Sequence, residues 1–169
     1  MGIARAGEKG LVAVGGHVEV GYVGEMAKSL LYRKKKGAVL SSADEGRTWD
    51  VFDAGNPAGT RLYGVHFFDG KSGWVVGEKG FAAKTTDGGK TWTKVVTGTK
   101  ERLNAVQMIE KEAVYLVGES GVALGTHDNG KTMITFRTDT RKDLKDLSFV
   151  NERTGFVVGT SGTVLKFIR

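Results

Sequence analysis

The sequence predicts an all-β protein, a β-propeller of about four blades whose last blade is incomplete, and three observations predict it. The first is a recurring turn motif: Ser42-Ala43-Asp44-Glu45-Gly46-Arg47-Thr48-Trp49 returns as Thr85-Thr86-Asp87-Gly88-Gly89-Lys90-Thr91-Trp92 and again as Thr126-His127-Asp128-Asn129-Gly130-Lys131-Thr132-Met133. Asp44 and Asp87 lie 43 residues apart, and Asp87 and Asp128 lie 41 apart. A fixed period in this range marks a repeat architecture, and propeller blades are its β-rich form. The second is that an interval of 41 also relates Leu62, Leu103 and Leu144, then Val65, Val106 and Leu147, then Phe67, Met108 and Phe149. The third is 26 glycines with a single proline, Pro57, and no Gly-X-Y period. That composition suits short strands joined by many tight turns.

The elements follow in order. Residues 1–60 form an irregular first blade, with strands at Ile3–Ala6, Leu11–Val14, Gly37–Ser42 and Trp49–Phe52. Its second and third strands are separated by an insertion, 16–36. There Val23, Met26, Ala27, Leu30 and Leu31 recur at helical spacing, predicting one short amphipathic helix. Glu25 near its start and Arg33-Lys34-Lys35-Lys36 at its end complement the helix dipole. Such a stripe either packs on its own domain or docks on a partner or a membrane surface.

The second blade, 61–101, reads as Leu62–Phe68, Trp74–Gly77, Phe81–Thr85 and Trp92–Val96, with Glu78-Lys79-Gly80 as a hairpin turn. The short apolar run at Trp74–Gly77 suits a strand buried on both faces. The third blade, 102–141, repeats this as Leu103–Ile109, Ala113–Val117, Val122–Thr126 and Met133–Arg137. The fourth, 142–169, offers Leu147–Val150, Phe156–Val158 and Thr163–Ile168, without a motif turn or a fourth strand.

Every conspicuous residue of the motif has a folding role. Asp44, Asp87 and Asp128 can accept backbone N–H bonds two residues on, as in an Asx turn. Gly46, Gly89 and Gly130 can take positive φ. Ser42, Thr85 and Thr126 supply hydroxyls, and Trp49 and Trp92 can cover the turn and pack on the next blade. Calcium wants 6–8 oxygens, whereas each motif offers one or two acidic groups. The motif is therefore assigned a structural role, and no metal or other cofactor is expected.

The chain is 40% hydrophobic, lacks cysteine and carries a net charge of +6. No apolar run reaches the roughly 20 residues of a membrane span, and the first ten residues lack a signal-peptide core. The positive charge favours an acidic partner. Candidate contacts are Arg33, Lys34, Lys35 and Lys36 in the insertion, with Arg137, Arg141, Lys142 and Lys145 between the last two blades. Neither cluster interleaves stacking aromatics, so nucleic acid is not expected. His17, His66 and His127 have no metal-motif spacing, and Gly88-Gly89-Lys90-Thr91 has no helix after it to make a phosphate loop.

The composite unit Leu62-x-x-Val65-x-Phe67, Gly73-Trp74-Val75-Val76-Gly77, Gly80 and Thr86–Trp92 resembles the BNR (Asp-box) repeat of the photosystem II stability/assembly factor family. The resemblance covers Leu62 to Arg169, and more weakly Leu11–Gly15 and Gly37–Phe52. It implies a non-enzymatic, protein-binding propeller. The family's photosynthetic members are seven-bladed and extracytoplasmic, in periplasm or lumen, and bind a reaction-centre precursor through a basic face.

Two function classes follow. The first is a protein-binding assembly-factor-like module with no catalytic residues. The alternative is a fragment or subunit of a sialidase-like or glycan-binding Asp-box propeller. Retaining glycosidases need two carboxylates about 5–5.5 Å apart, and the blade-equivalent Glu78 and Glu119 read as a shared turn preference. Two closures are open: Gly2–Ala6 pairing beside Thr163–Ile168 to close four blades alone, or a homo-oligomer completing the ring. An uncovered edge strand favours the second.

Overall fold

The structure is a computed structural model that describes residues 2–15, 38–57, 60–151 and 153–168. It contains four antiparallel sheets, one per blade, each a meander. Blade one comprises β1 (Gly2–Ala6), β2 (Gly10–Val14), β3 (Ala38–Ser42) and β4 (Asp50–Asp53). Blade two comprises β5 (Leu62–Phe67), β6 (Gly73–Gly77), β7 (Ala82–Thr85) and β8 (Thr93–Val95). Blade three repeats it as β9 (Leu103–Met108), β10 (Val114–Gly118), β11 (Ala123–Thr126) and β12 (Ile134–Phe136). Blade four holds β13 (Leu144–Asn151), β14 (Thr154–Gly159) and β15 (Val164–Ile168). The all-β propeller reading and its repeat hold, and the expected helix at 16–36, with Arg33 to Lys36, lies outside the described residues.

The blades stack face to face, with first strands β1, β5, β9 and β13 in contact in succession. Three apolar layers form the core. Val12, Val14 and Val39 meet Leu62, Val65, Phe67 and Val75 between blades one and two. Trp74, Val76 and Ala82 meet Leu103, Val106, Leu116 and Leu124 between two and three. Tyr115 meets Phe149, Phe167 and Phe136 at centroid separations of 4.3, 5.2 and 5.8 Å at the last interface. The second strands of the middle blades, β6 and β10, are buried at every position, as an unalternating apolar run requires.

Polar side chains on the first strands tie each blade to the next. His66 Nδ1 accepts the Met108 N–H at 3.2 Å, and Gln107 Oε1 accepts the Phe149 N–H at 2.8 Å. Asn104 Nδ2 donates to the Leu144 carbonyl at 2.7 Å.

Glu78–Gly80 is the expected hairpin turn between β6 and β7, with Lys79 at φ 57°, Gly80 at φ 65° and the Phe81 N–H donating to the Glu78 carbonyl at 3.1 Å, and it recurs at Glu119–Gly121 and Thr160–Gly162. Three details depart from the sequence reading. The first strand of blade four starts at Leu144, ahead of Leu147, because register shifts absorb extra residues. Trp92 packs on the preceding blade rather than the next, joining the layer that contains Val12 and Val14. Finally, β1 pairs with β2, and β15 pairs with β14. Gly2–Ala6 is thus the first strand of its own blade and not the outer strand of the last.

Blade four presents one apolar face outward. Phe156 stands where Trp74 and Tyr115 are buried in the preceding blades, and Val158 stands where Val76 and Val117 are. Both are exposed, as are Val164 and Ile168 beside them.

Candidate functional site

Antiparallel meanders give the stack two ends. At one lie the hairpin turns between second and third strands and the loops between blades. At the other lie the Asp-box turns and the links between first and second strands. Each end presents a distinct set of side chains.

At the second end, the three Asp-boxes share one hydrogen-bond pattern. Asp87 Oδ1 accepts the Thr85 hydroxyl at 2.8 Å and the Lys90 and Thr91 N–H groups at 3.0 and 2.9 Å. Its Oδ2 accepts the Thr91 hydroxyl. The bonds therefore reach three and four residues on, rather than two. Thr85 Oγ1 accepts the Gly89 N–H at 3.0 Å, and Trp92 Nε1 donates to the Gly89 carbonyl at 2.9 Å. Asp44 with Ser42, Thr48, Gly46 and Trp49 repeats this arrangement. Asp128 with Thr126, Thr132 and Gly130 does so without the tryptophan, since Met133 stands in its place. Each carboxylate is thus filled by its own turn. Among the described residues no group of three or more His, Asp or Glu is placed to hold a metal ion.

These bonds set the acidities. The Thr48 hydroxyl, with the Thr48 N–H, lowers Asp44 to about 2. For Asp87 desolvation acts upward, but the Thr91 hydroxyl and N–H outweigh it and hold the group at about 2. The Thr132 N–H and hydroxyl lower Asp128 in the same way. A carboxylate more acidic when folded contributes stability above its ordinary value of 3.8, and that contribution is lost as pH falls through about 2. Asp87→Ala is expected to cost about 2 kcal/mol at neutral pH and to flatten the acid limb, because hydrogen bonds to a charged acceptor are lost. Urea unfolding of both proteins across that pH range checks this.

At the first end, Arg137, Arg141 and Lys142 occupy the segment joining β12 to β13, Lys145 is the second residue of β13, and all four are exposed. Two carboxylates missed in the sequence reading are interleaved with them. Arg137 pairs with Asp139, and Lys145 donates to Asp143 at 3.1 Å. Lys145 is also the first cause holding Asp143 below its ordinary value. Their sequence signal was plain, since Asp139 and Asp143 sit two residues from each partner. The Ser120 N–H also donates to Asp143, and its hydroxyl donates to Glu101, at 3.3 and 3.2 Å, so this loop is braced against blade three.

The equivalent glutamates are placed on their own blades. Glu78 accepts the Arg61 N–H and the Tyr63 hydroxyl, both at 3.1 Å. Glu119 pairs with Arg102, whose guanidinium stacks 4.8 Å above the Tyr63 ring. His127 meets the Tyr115 ring edge-on at 5.9 Å.

A cavity of about 740 Å³ opens at the Asp-box end where β5, β9 and β13 terminate. Its polar lining comes from His66, Gln107, Asn151, Arg153 and Thr154. Of these, only His66 stands out in the sequence, as a histidine without metal-motif spacing. The 41-residue interval between His66 and Gln107, polar positions on an apolar strand, was the signal available. Burial lowers the His66 pKa, keeping the ring neutral and Nδ1 available as the acceptor described above.

Comparison with solved structures supports the fold. The chain superposes on YCF48 bound to D1 peptide with a TM-score of 0.68 at 18% identity, covering 99% of this chain and 52% of that one. YCF48 from Cyanidioschyzon merolae gives 0.72 at 16%, covering 99% and 50%. The GH74 enzyme of Niastella koreensis gives 0.72 at 18%, covering 99% and 28%. The chain therefore spans about half the length of the first two and less of the third. No curated protein matches it by sequence. The model of the family described as photosynthesis system II assembly factor YCF48 matches residues 33–102 and 57–141. With that match over more than half of its length, and four blades of which three carry the Asp-box, this chain belongs to the YCF48 photosystem II assembly factor family.

Proposed function

We propose that the chain is a non-enzymatic, protein-binding propeller module that docks an acidic partner through the loop bearing Arg137, Arg141 and Lys142, with Lys145 at the start of β13. The observation that carries this is the exposure of all four cations on one braced segment, with Arg141 and Lys142 outside the two ion pairs. Family membership and the D1 peptide held by one structural relative favour a protein ligand. On sequence grounds alone, Arg33, Lys34, Lys35 and Lys36 of the insertion form a second basic contact, with the same partner or with a membrane surface.

The test is fluorescence anisotropy with a labelled Asp/Glu-rich peptide. Reversing all four loop charges to Glu is expected to weaken binding by at least about tenfold, and added salt should weaken the native interaction steeply. Unchanged affinity would remove the loop from the site.

A second contact follows from the exposed face of blade four. Phe156 and Val158 are the counterparts of residues that successive blades bury. We infer that a second copy of the chain covers this face and extends the ring. Light scattering should give about twice 18.1 kDa, and Val158→Lys should return the monomer mass. A monomer at high concentration would count against it.

A further inference from the structure

We propose that the cavity at the Asp-box end is a binding site for an extended peptide segment that carries a carboxylate next to an apolar side chain. It lies at the opposite end of the stack from the basic loop and does not depend on that loop.

The hydrogen bonds already described determine what the lining has left to offer. Met108 N–H occupies His66 Nδ1, so the neutral ring carries its proton on Nε2 and offers a donor. Phe149 N–H occupies Gln107 Oε1, leaving the amide NH₂. Asn151 Oδ1 accepts the Arg153 and Thr154 N–H groups, both at 2.9 Å, leaving its own NH₂. In each case a backbone donor fixes which side-chain atom faces it, so the orientation is not arbitrary. The exposed Arg153 guanidinium adds further donors and a positive charge.

The polar lining is thus rich in donors, and among the described residues no carboxylate lines the cavity. Such a site suits an acceptor-only, negatively charged group, and the guanidinium is the side chain best shaped to bind a carboxylate in two-point fashion.

The remaining wall is apolar. Phe68 and Val150 line the cavity and are exposed, at 47% and 73%, with Ile109 and Met108 beside them. These side chains can cover an aliphatic group adjacent to the bound carboxylate. The first-strand ends of three blades contribute, so the site has the length for several residues of extended chain. A chain terminus or an Asp or Glu side chain could supply the carboxylate.

Three acetylated peptides distinguish these sources in ¹⁵N NMR titrations: Ac-Gly-Ala-Leu with a free carboxylate, its C-terminal amide, and Ac-Asp-Ala-Leu amide. Saturable shifts at the Met108 and Phe149 amides are expected from the free acid, from the aspartyl peptide, or from both. The uncharged amide should bind at least about tenfold more weakly. Arg153→Ala and Phe68→Ala change exposed side chains, and each should weaken the carboxylate peptides several-fold or more. The charge-reversed 137–145 loop should leave these titrations unaltered. The proposal is overturned if neither carboxylate peptide gives saturable shifts or if the uncharged amide binds equally well. It is overturned equally if both single variants retain native affinity, or if binding disappears only when the 137–145 loop is reversed.

Discussion

Gly80→Ala should destabilise the protein by about 3 kcal/mol although it adds a single methyl group. Gly80 is buried at φ 65°, and a Cβ there would run into the Thr99 carbonyl oxygen. Backbone on that side cannot yield easily. Gly80 N–H donates to the Glu101 carbonyl at 2.9 Å, and its own carbonyl accepts the Thr97 hydroxyl at 2.7 Å. The left-handed conformation costs roughly 1–2 kcal/mol for a residue with a side chain, and displacing packed neighbours adds about 1–3. Gly98→Ala separates the two contributions. Gly98 has φ 77° but open space around its Cβ position, so it should lose only the conformational part, about 1 kcal/mol. Chemical denaturation of both variants decides the matter; equal losses would show that the carbonyl contact is harmless.

Trp74→Ala should cost more, about 4 kcal/mol, and lower the melting temperature by about 10 °C. Trp74 is fully buried between blades two and three. Its Nε1 donates to Asn129 Oδ1 at 3.1 Å, within the Asp-box of the next blade. The ring lies so close to Gly130 that a Cβ there would sit 2.7 Å from it. Lys84 Nζ reaches the Asn129 carbonyl from the same side at 2.6 Å. Removing the indole therefore opens a cavity and releases the box that leans on it. Trp74→Phe keeps most of the volume and loses the hydrogen bond, so it should recover more than half of the loss. If calorimetry finds alanine and phenylalanine alike, volume is not what the indole contributes.

Much of this architecture was legible because repeats convert sequence spacing into geometry. Leu62, Leu103 and Leu144 start equivalent strands and are all fully buried. Trp74–Gly77 declared a strand covered on both sides by its lack of alternation, and the structure buries it so. What spacing could not supply was direction across blades. Nothing in Thr91-Trp92 says whether the ring turns toward the earlier or the later sheet, since both surfaces are apolar. Residue-level hydrogen bonding was equally hidden. Asp87 was legible as a turn former, but the choice of Lys90 and Thr91 N–H groups depends on the path set by Gly88 and Gly89, both at positive φ. The cavity residues were the least legible. Gln107 and Asn151 acquire meaning only when three strand ends are brought together and their carbonyl oxygens are seen to be spent.

The outward apolar face of blade four also bears on how the molecule loses its structure. Blades two and three are each clamped between neighbours, whereas blade four has a layer on one side only. In a stack whose cohesion is a sum of nearest-neighbour couplings, a unit with one coupling opens before a unit with two. Blade four should thus open before blades two and three as the isolated chain unfolds, with amide exchange slowest at β6 and β10. Whatever covers that face acts as a cap on the stack and lends the fourth blade the cooperativity that its neighbours already have.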